Sequence, residues 1–192
     1  MVYRYFYDCE FIEDGRVIDL VSIGVVDEHG REFYAVSTEF DGSRALPWVR
    51  RHVLDKLPSP GDPVWRSRQQ IRDELYGFLV APLRTGLGVR AVPPGAAGAD
   101  RPARPAMELW AWYAAYDHVA LAQLWGAMPA LPREIPRFTK DLRQRWDDLG
   151  RPPLPAAAAG RHDALVDARH NLARWQAMEG MAGFEGPGSG AV

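Results

Sequence analysis

Residues 3–12, Tyr-Arg-Tyr-Phe-Tyr-Asp-Cys-Glu-Phe-Ile, begin the chain with aromatic and apolar side chains that two acids interrupt. This composition predicts a β-strand. Successive side chains of a strand point to opposite faces, so Asp8 and Glu10 leave one face and Cys9 leaves the other. Acids on an interior strand are costly unless a cation neutralises them, and carboxylate oxygens suit Mg²⁺ or Mn²⁺. The alternative is that both acids sit in water at a frayed strand end.

Two further strands follow after short turns. Asp14-Gly15 and His29-Gly30 are turn signals. They separate the first strand from a near-continuous apolar run at Ile18–Val26, and that run from a third predicted strand at Glu32–Phe40. Three strands joined in this way predict an antiparallel meander.

The rest of the chain alternates between helix and strand patterns. In order, these patterns predict a helix through Trp48 and Val53, a helix capped by Ser67, a strand at Glu108–Tyr116, a helix through Leu121, a strand at Ile135–Phe138, a helix capped by Thr139 and a helix at Asp163–Glu179. The sequence therefore predicts an α/β fold, in which a mixed five-stranded sheet of the meander and parallel strands is covered by helices.

The length of 192 residues favours one domain, which we place at residues 1–179. Glycine and proline without periodicity predict a flexible insertion at residues 84–106, and five glycines predict a disordered tail at 180–192. No apolar run approaches the roughly 18 residues that span a bilayer, so we expect no membrane contact. Asp8 and Glu10 interrupt any leader peptide, and the single cysteine forms no intrachain disulfide. We therefore expect a cytoplasmic protein.

Charge is distributed unevenly along the chain. Residues 1–42 carry ten acids and three bases, whereas residues 43–105 carry eleven bases and five acids. An acidic region beside a basic one is typical of a metal site flanked by a phosphate-binding surface. Two solvated faces of opposite charge would give the same counts.

Three residues further along the chain extend the candidate site. Asp117 follows the predicted fourth strand and opens a helix, where an acid also serves as a cap. His162 and Asp167 would not share a face of one helix. If that helix begins at Asp163, however, His162 lies in the preceding loop and can fold back over the face that Asp167 presents.

These segments together carry a resemblance. Asp8-Cys9-Glu10, Tyr116-Asp117 and His162-Asp163-Ala164-Leu165-Val166-Asp167-Ala168 resemble, in order and placement, the DEDDh family of 3′→5′ exonucleases. The third segment matches the family pattern His-x-Ala-Leu-x-Asp-Ala throughout, and the whole chain looks most like actinobacterial polyadenylate-specific 3′-exoribonucleases. The middle motif departs from the family, since Trp112-Tyr113-Ala114-Ala115-Tyr116-Asp117 stands where many members have His-Asn-x-x-Phe-Asp.

The resemblance implies an RNase H-like fold and a two-metal hydrolase that uses Mg²⁺, or Mn²⁺. It implies that Asp8, Glu10 and Asp167 hold one metal ion, that Asp8 bridges to a second, and that Asp117 completes the cluster through water. His162 would take the proton from the attacking water. The implied reaction hydrolyses single-stranded RNA 3′ ends or overhangs and releases nucleoside 5′-monophosphates. Related exoribonucleases also lead us to expect a homodimer.

Four residues are candidates for substrate binding: Phe11, Trp65, Arg66 and Arg68. An aromatic ring can stack on a base for about 1–3 kcal/mol, and arginines can hold phosphates. A purely structural place in the core accounts for Trp65 equally well. Phe11 points away from the acids in a regular strand, unless the strand end twists it back.

Three other functions fit parts of the same pattern. The motifs contact phosphates and not the sugar, so a DNA 3′→5′ exonuclease is the first alternative. A catalytically silent RNA-binding module on the same fold is the second, although an intact set of acids with its histidine argues against it. A thiol hydrolase using Cys9 and His162 is disfavoured, because Cys9 is predicted to face the core.

Overall fold

The structure, a computed structural model, describes residues 2–86, 106–157 and 159–182. Most of the predicted insertion and tail, residues 87–105 and 183–192, lies outside these residues. The first residues of both predicted segments are helical instead, since one helix continues to Gly86 and the last helix continues to Ala182.

The described residues contain one mixed sheet of six strands. The strands are β1 (Val2–Glu13), β2 (Ile18–Asp27), β3 (Glu32–Ser37), β4 (Trp65–Arg66), β5 (Ala106–Ala111) and β6 (Lys140–Asp141). Their order across the sheet is β4-β3-β2-β1-β5-β6. Strands β1, β2 and β3 pair antiparallel, which confirms the predicted meander, and the other pairs are parallel.

Within the described part of the chain, five α-helices accompany the sheet: α1 (Pro47–His52), α2 (Arg68–Gly86), α3 (Ala115–Ala122), α4 (Leu142–Asp148) and α5 (Ala164–Ala182). The predicted cap of α2 is confirmed, because the Gln70 amide N–H donates to the Ser67 hydroxyl while the Ser67 amide N–H donates to the Gln70 side chain. Among the described helices, none has the length and apolar character needed to cross a membrane.

Several predicted boundaries differ from the structure. The strand expected at Ile135–Phe138 is wrong, and two short strands that were not predicted, β4 and β6, bring the sheet to six strands instead of five. Two-residue strands have no room for an alternating pattern, so the sequence does not signal them. The cap of α4 is Asp141 and not Thr139, whose hydroxyl instead lies 2.6 Å from that of Tyr7.

The strand predicted at Glu108–Tyr116 also ends early. Strand β5 stops at Ala111, and Tyr113 has a positive φ of 59°. Helix α3 begins two residues later, so Asp117 lies in its first turn. An apolar stretch that turns directly from strand to helix has one continuous pattern, which concealed the break.

Helices cover both faces of the sheet. Tyr5 and Tyr7 of β1 lie in a core with Ile71, Leu75 and Leu79 of α2. Phe6, which points the other way, packs with Met178 of α5. Helix α5 therefore lies on the same side of the sheet as Asp8 and Glu10.

Helix α5 closely approaches the sheet at Gly24 in β2. A Cβ atom built on Gly24 would lie 2.4 Å from the backbone of Ala164 and Leu165, at the start of α5. Only glycine permits this approach, which sets the first turn of α5 directly against the sheet. The position of Asp167 therefore depends on a missing side chain in β2.

We expect Gly24→Ala to destabilise the fold by about 1–3 kcal/mol, because the added methyl must displace backbone. The matched control is Gly77→Ala in α2, where a Cβ would meet nothing within 4 Å. Alanine in an exposed helix interior should stabilise by about 0.5–1 kcal/mol. Chemical denaturation of the three proteins measures both changes, and equal stability of Gly24→Ala and wild type would contradict the close approach.

Candidate active site

The site forms where β1 extends beyond its parallel neighbour. The pairing of β1 with β5 ends at Phe6 and Trp110, so the next residues of β1 have no strand on that side. The Cys9 amide N–H donates instead to the Asp117 carboxylate over 2.8 Å. An acid from the first turn of α3, only 5% exposed, thus satisfies a backbone group that the sheet leaves unpaired.

The second half of the site comes from the start of α5. Asp163 caps this helix by accepting the amide N–H groups of Leu165 and Val166, both at 3.0 Å. His162 lies in the preceding loop with a positive φ of 67°, and its amide N–H donates to the Asp167 carboxylate over 2.8 Å. The predicted fold-back of His162 is therefore observed.

One open cavity of about 340 Å³ brings these groups together. The five residues that the sequence nominated for metal binding and catalysis all line it: Asp8, Glu10, Asp117, His162 and Asp167. Ligand atoms of Glu10, His162 and Asp167 lie within 4.8 Å of one another. Clustered carboxylate oxygens are the donors that hard divalent cations prefer, so this set of residues fits Mg²⁺ or Mn²⁺.

Burial and mutual repulsion make the acids hard to ionise without a cation. Burial, followed by the charges of Asp117, Glu10 and Asp167, raises the pKa of Asp8 well above its ordinary value. Burial and the neighbouring charge of Asp167 raise the pKa of Glu10 to about 8. Burial likewise raises the pKa of Asp117 to about 7, although the bond from Cys9 opposes this.

The ring of His162 lies against helix α1. The imidazole and the Trp48 indole form a T-shaped pair with ring centroids 4.9 Å apart, and the Trp48 indole in turn packs on His52. The Lys56 ammonium donates to the Arg161 carbonyl, which fixes the same loop. Burial lowers the pKa of His162, so its imidazole is neutral at neutral pH.

Aromatic rings form another part of the cavity lining: Phe11, Trp112, Tyr113 and Tyr116. Phe11 stacks on Tyr116, with centroids 5.9 Å apart and planes 13° from parallel. A register shift between Glu10 and Phe11 marks an irregularity at this end of β1, and such shifts increase strand twist. Glu10 and Phe11 both reach the cavity, although a regular strand would direct them to opposite faces.

The other three residues predicted to bind substrate are not among those that line this cavity. The Trp65 indole N–H donates to the carbonyls of Pro58 and Ser59. The guanidinium groups of Arg66 and Arg68 form ion pairs with Glu74 and Asp19 respectively. These contacts give all three residues a structural role, and their part in binding RNA stays a prediction.

Sequence reasoning missed two arginines of the cavity, Arg161 and Arg174. Arg174 follows Asp167 by seven residues, a spacing that places both on one face of α5. That periodicity was available in the sequence. Arg161 carries no comparable signal, because it lies in a loop.

Comparisons with known proteins identify the relatives of this chain. Residues 3–179 match the 3′-5′ exoribonuclease Rv2179c-like domain. The chain is 56% identical over 173 residues to the Mycobacterium tuberculosis 3′-5′ exoribonucleases Rv2179c (strain H37Rv) and MT2234.1 (strain CDC 1551), covering 90% of this chain and 91% of each relative.

The fold is also similar to a solved structure, the Mg²⁺- and Mn²⁺-bound form of S. pombe Pop2p. The TM-score is 0.50 at 12% identity, and the likeness covers 98% of this chain and 86% of that one. It shows the RNase H-like arrangement of a mixed sheet and helices. The family match over residues 3–179, with 56% identity across nine-tenths of the chain, places this protein in the Rv2179c-like family of 3′-5′ exoribonucleases.

Proposed function

We propose that this protein is a DEDDh-type, metal-dependent exoribonuclease that trims single-stranded RNA 3′ ends and overhangs. The observation that carries this proposal is the convergence of Asp8, Glu10, Asp117 and Asp167 with His162 in one open cavity. The products are nucleoside 5′-monophosphates and a strand shortened by one residue. The sequence similarity to 3′-5′ exoribonucleases, which extends over most of the chain, supports RNA as the substrate.

The carboxylates would hold two divalent cations, with Asp8, Glu10 and Asp167 as the principal ligands and Asp117 completing the set. Bound there, the cations would neutralise charge on the phosphate and make the attacking water more acidic. The protein's own contribution is to hold four acids in place before the cations arrive. Two of these carboxylates are fixed by hydrogen bonds from backbone N–H groups, Asp117 by that of Cys9 and Asp167 by that of His162.

His162 is the general base of the proposed reaction. Its neutral imidazole accepts a proton from the water that attacks phosphorus, as the bond to the 3′-oxygen of the preceding residue breaks. That oxygen takes up a proton from solvent and leaves as the 3′-hydroxyl of the shortened strand, and the phosphate remains on the released nucleotide. The contact with Trp48 holds the ring beside Glu10 and Asp167.

The aromatic lining fits an unpaired terminal residue. Phe11 and Tyr116 line the cavity as a stacked pair, and Tyr116 is 51% exposed. Base stacking on such rings tolerates any base. A paired end must first unstack at a cost of a few kcal/mol, so trimming should slow when it reaches a stable duplex.

The direct test uses RNA and DNA strands, labelled at either end, and tailed and blunt duplexes, with and without Mg²⁺. We expect Mg²⁺-dependent shortening of RNA from the 3′ end that stops near the duplex. Asp8→Asn should abolish it, whereas Asp148→Asn, an exposed acid of α4, should behave as wild type. A sequencing gel resolves the products.

Two outcomes would contradict this proposal. Cleavage from the 5′ end would exclude the direction, and faster digestion of DNA than of RNA would favour the DNA exonuclease instead. Homopolymer RNA strands in the same assay measure whether any base is preferred at the 3′ end.

Replacement of His162 tests the general base. His162→Ala should lower kcat by about 10²–10⁴, the usual size of such a contribution. Since burial lowers the pKa of His162, the acidic limb of the wild-type pH–rate profile should lie below the ordinary histidine pKa of 6.5. The variant should lack this limb, and an unchanged limb would assign it to another group.

The stability of the metal-free protein should fall as pH rises. Glu10 in the unfolded chain ionises near its ordinary pKa of 4.5, whereas in the folded chain it keeps its proton to about 8. Between these values the folded state binds more protons, so the free energy of unfolding decreases with pH. Thermal melts in EDTA from pH 5 to 8 measure the slope. Glu10→Gln should reduce this slope, and a slope equal to that of wild type would exclude Glu10 as its source.

A further inference from the structure

Arg174 brings a cation to the edge of the acidic cluster. It lines the cavity with Asp8 and Asp167, and these two carboxylates are the acids whose charges act on it. Side chains of a helix point back toward its N-terminus. Seven residues after Asp167, the Arg174 side chain therefore extends toward the acids at the start of α5.

Two contacts hold the guanidinium in place. Arg174 Nη1 donates to the Asn171 side-chain oxygen over 2.9 Å, and Asn171 Nδ2 donates to the Tyr7 carbonyl over 3.0 Å. Asn171 is only 1% exposed, so this link to β1 is shielded from water. The guanidinium carbon lies 4.2 Å from the centre of the Trp112 ring. A stacked and anchored guanidinium loses little further entropy when its remaining N–H groups bind a ligand.

Neither contact neutralises the charge of Arg174. Among the described residues, no carboxylate lies within ion-pair distance of its guanidinium, whereas Arg169 on the same helix pairs with Glu32. An arginine that is held by an amide and an indole beside a cavity is thus available for an anion. The anion that the proposed function brings to this cavity is a phosphodiester.

We propose that Arg174 is a catalytic residue whose guanidinium donates to a non-bridging oxygen of the scissile phosphate. This inference rests on the function proposed above. Negative charge on the non-bridging oxygens must be stabilised as the phosphoryl group is transferred, and a planar guanidinium matches these oxygens. Its contribution should therefore appear in the chemical step more than in substrate binding.

Two other roles of Arg174 give different kinetics. A contact with a phosphate further along the RNA would serve ground state and transition state alike, so its loss would raise KM and leave kcat unchanged. A role in balancing the charges of Asp8 and Asp167 would affect cation binding in the absence of RNA.

The experiment compares wild type with Arg174→Ala at saturating Mg²⁺ on a single-stranded RNA. We expect kcat to fall by about 10²–10³, the usual cost of removing one preorganised donor, with KM nearly unchanged. Arg174→Gln keeps an amide against Trp112 and Asn171 and should show the same loss of kcat. This variant replaces Arg174→Ala in the test if the alanine variant is unstable. Arg169→Ala is the matched control on α5 and should keep wild-type kinetics.

Two further measurements separate a phosphate contact from a structural role. Added guanidinium ion at millimolar concentration should restore part of the kcat of Arg174→Ala, since the vacated place beside Trp112 can take the free cation. Mg²⁺ binding without RNA, followed by calorimetry, should be at least as tight in this variant, because one like charge has been removed.

Raised KM with unchanged kcat, weakened Mg²⁺ binding, or no rescue by guanidinium would each overturn the inference. Failure of the wild-type protein to degrade RNA in Mg²⁺ would instead overturn the proposed function, and the inference with it. An active wild type with an equally active Arg174→Ala would remove the inference alone.

Discussion

Like-charge repulsion among four carboxylates is the constraint on which the arrangement of this site depends. Asp8, Glu10, Asp117 and Asp167 line one cavity, and burial makes the ionised form of each of the first three costly. The fold offsets part of this cost with backbone donors, and places Arg174 close by. In the proposed function, a divalent cation would offset the remaining cost, because its charge favours the ionised form of these carboxylates.

The fold brings these acids together with two separate devices. Strand β1 extends beyond β5, which leaves the Cys9 amide for Asp117 from the first turn of α3. Glycine at position 24 lets the first turn of α5 rest on the sheet, which carries Asp167 to the same strand end. Each device satisfies or removes a backbone constraint, so main-chain geometry positions the helices that carry Asp117 and Asp167.

The cavity also combines groups of different chemistry around the acids. His162 is held by the hydrogen bond that its backbone N–H donates to the Asp167 carboxylate and by the indole of Trp48, whereas Arg174 is held by Asn171 and the indole of Trp112. Each of these nitrogen-containing side chains, the imidazole of His162 and the guanidinium of Arg174, thus packs on a tryptophan. An aromatic surface can orient a charged or polar ring without neutralising it, which keeps that group free to act on a substrate.

The sequence by itself determined the antiparallel meander, the identity of the acidic residues in the site, and the position of His162 in a loop that folds back over the start of α5. These features follow from local rules: alternation along β1, turn residues between strands, and the predicted start of the last helix at Asp163, which the structure shows as its cap. Only the tertiary structure decided the lengths of the strands beside β1, the short strands β4 and β6, and the structural partners of Arg66 and Arg68. The tertiary structure also decided the place of Phe11 in the cavity and the anchoring of Arg174. Strand register, edge pairing and contacts between distant segments depend on which elements pack together in space, and the local sequence pattern does not specify that packing.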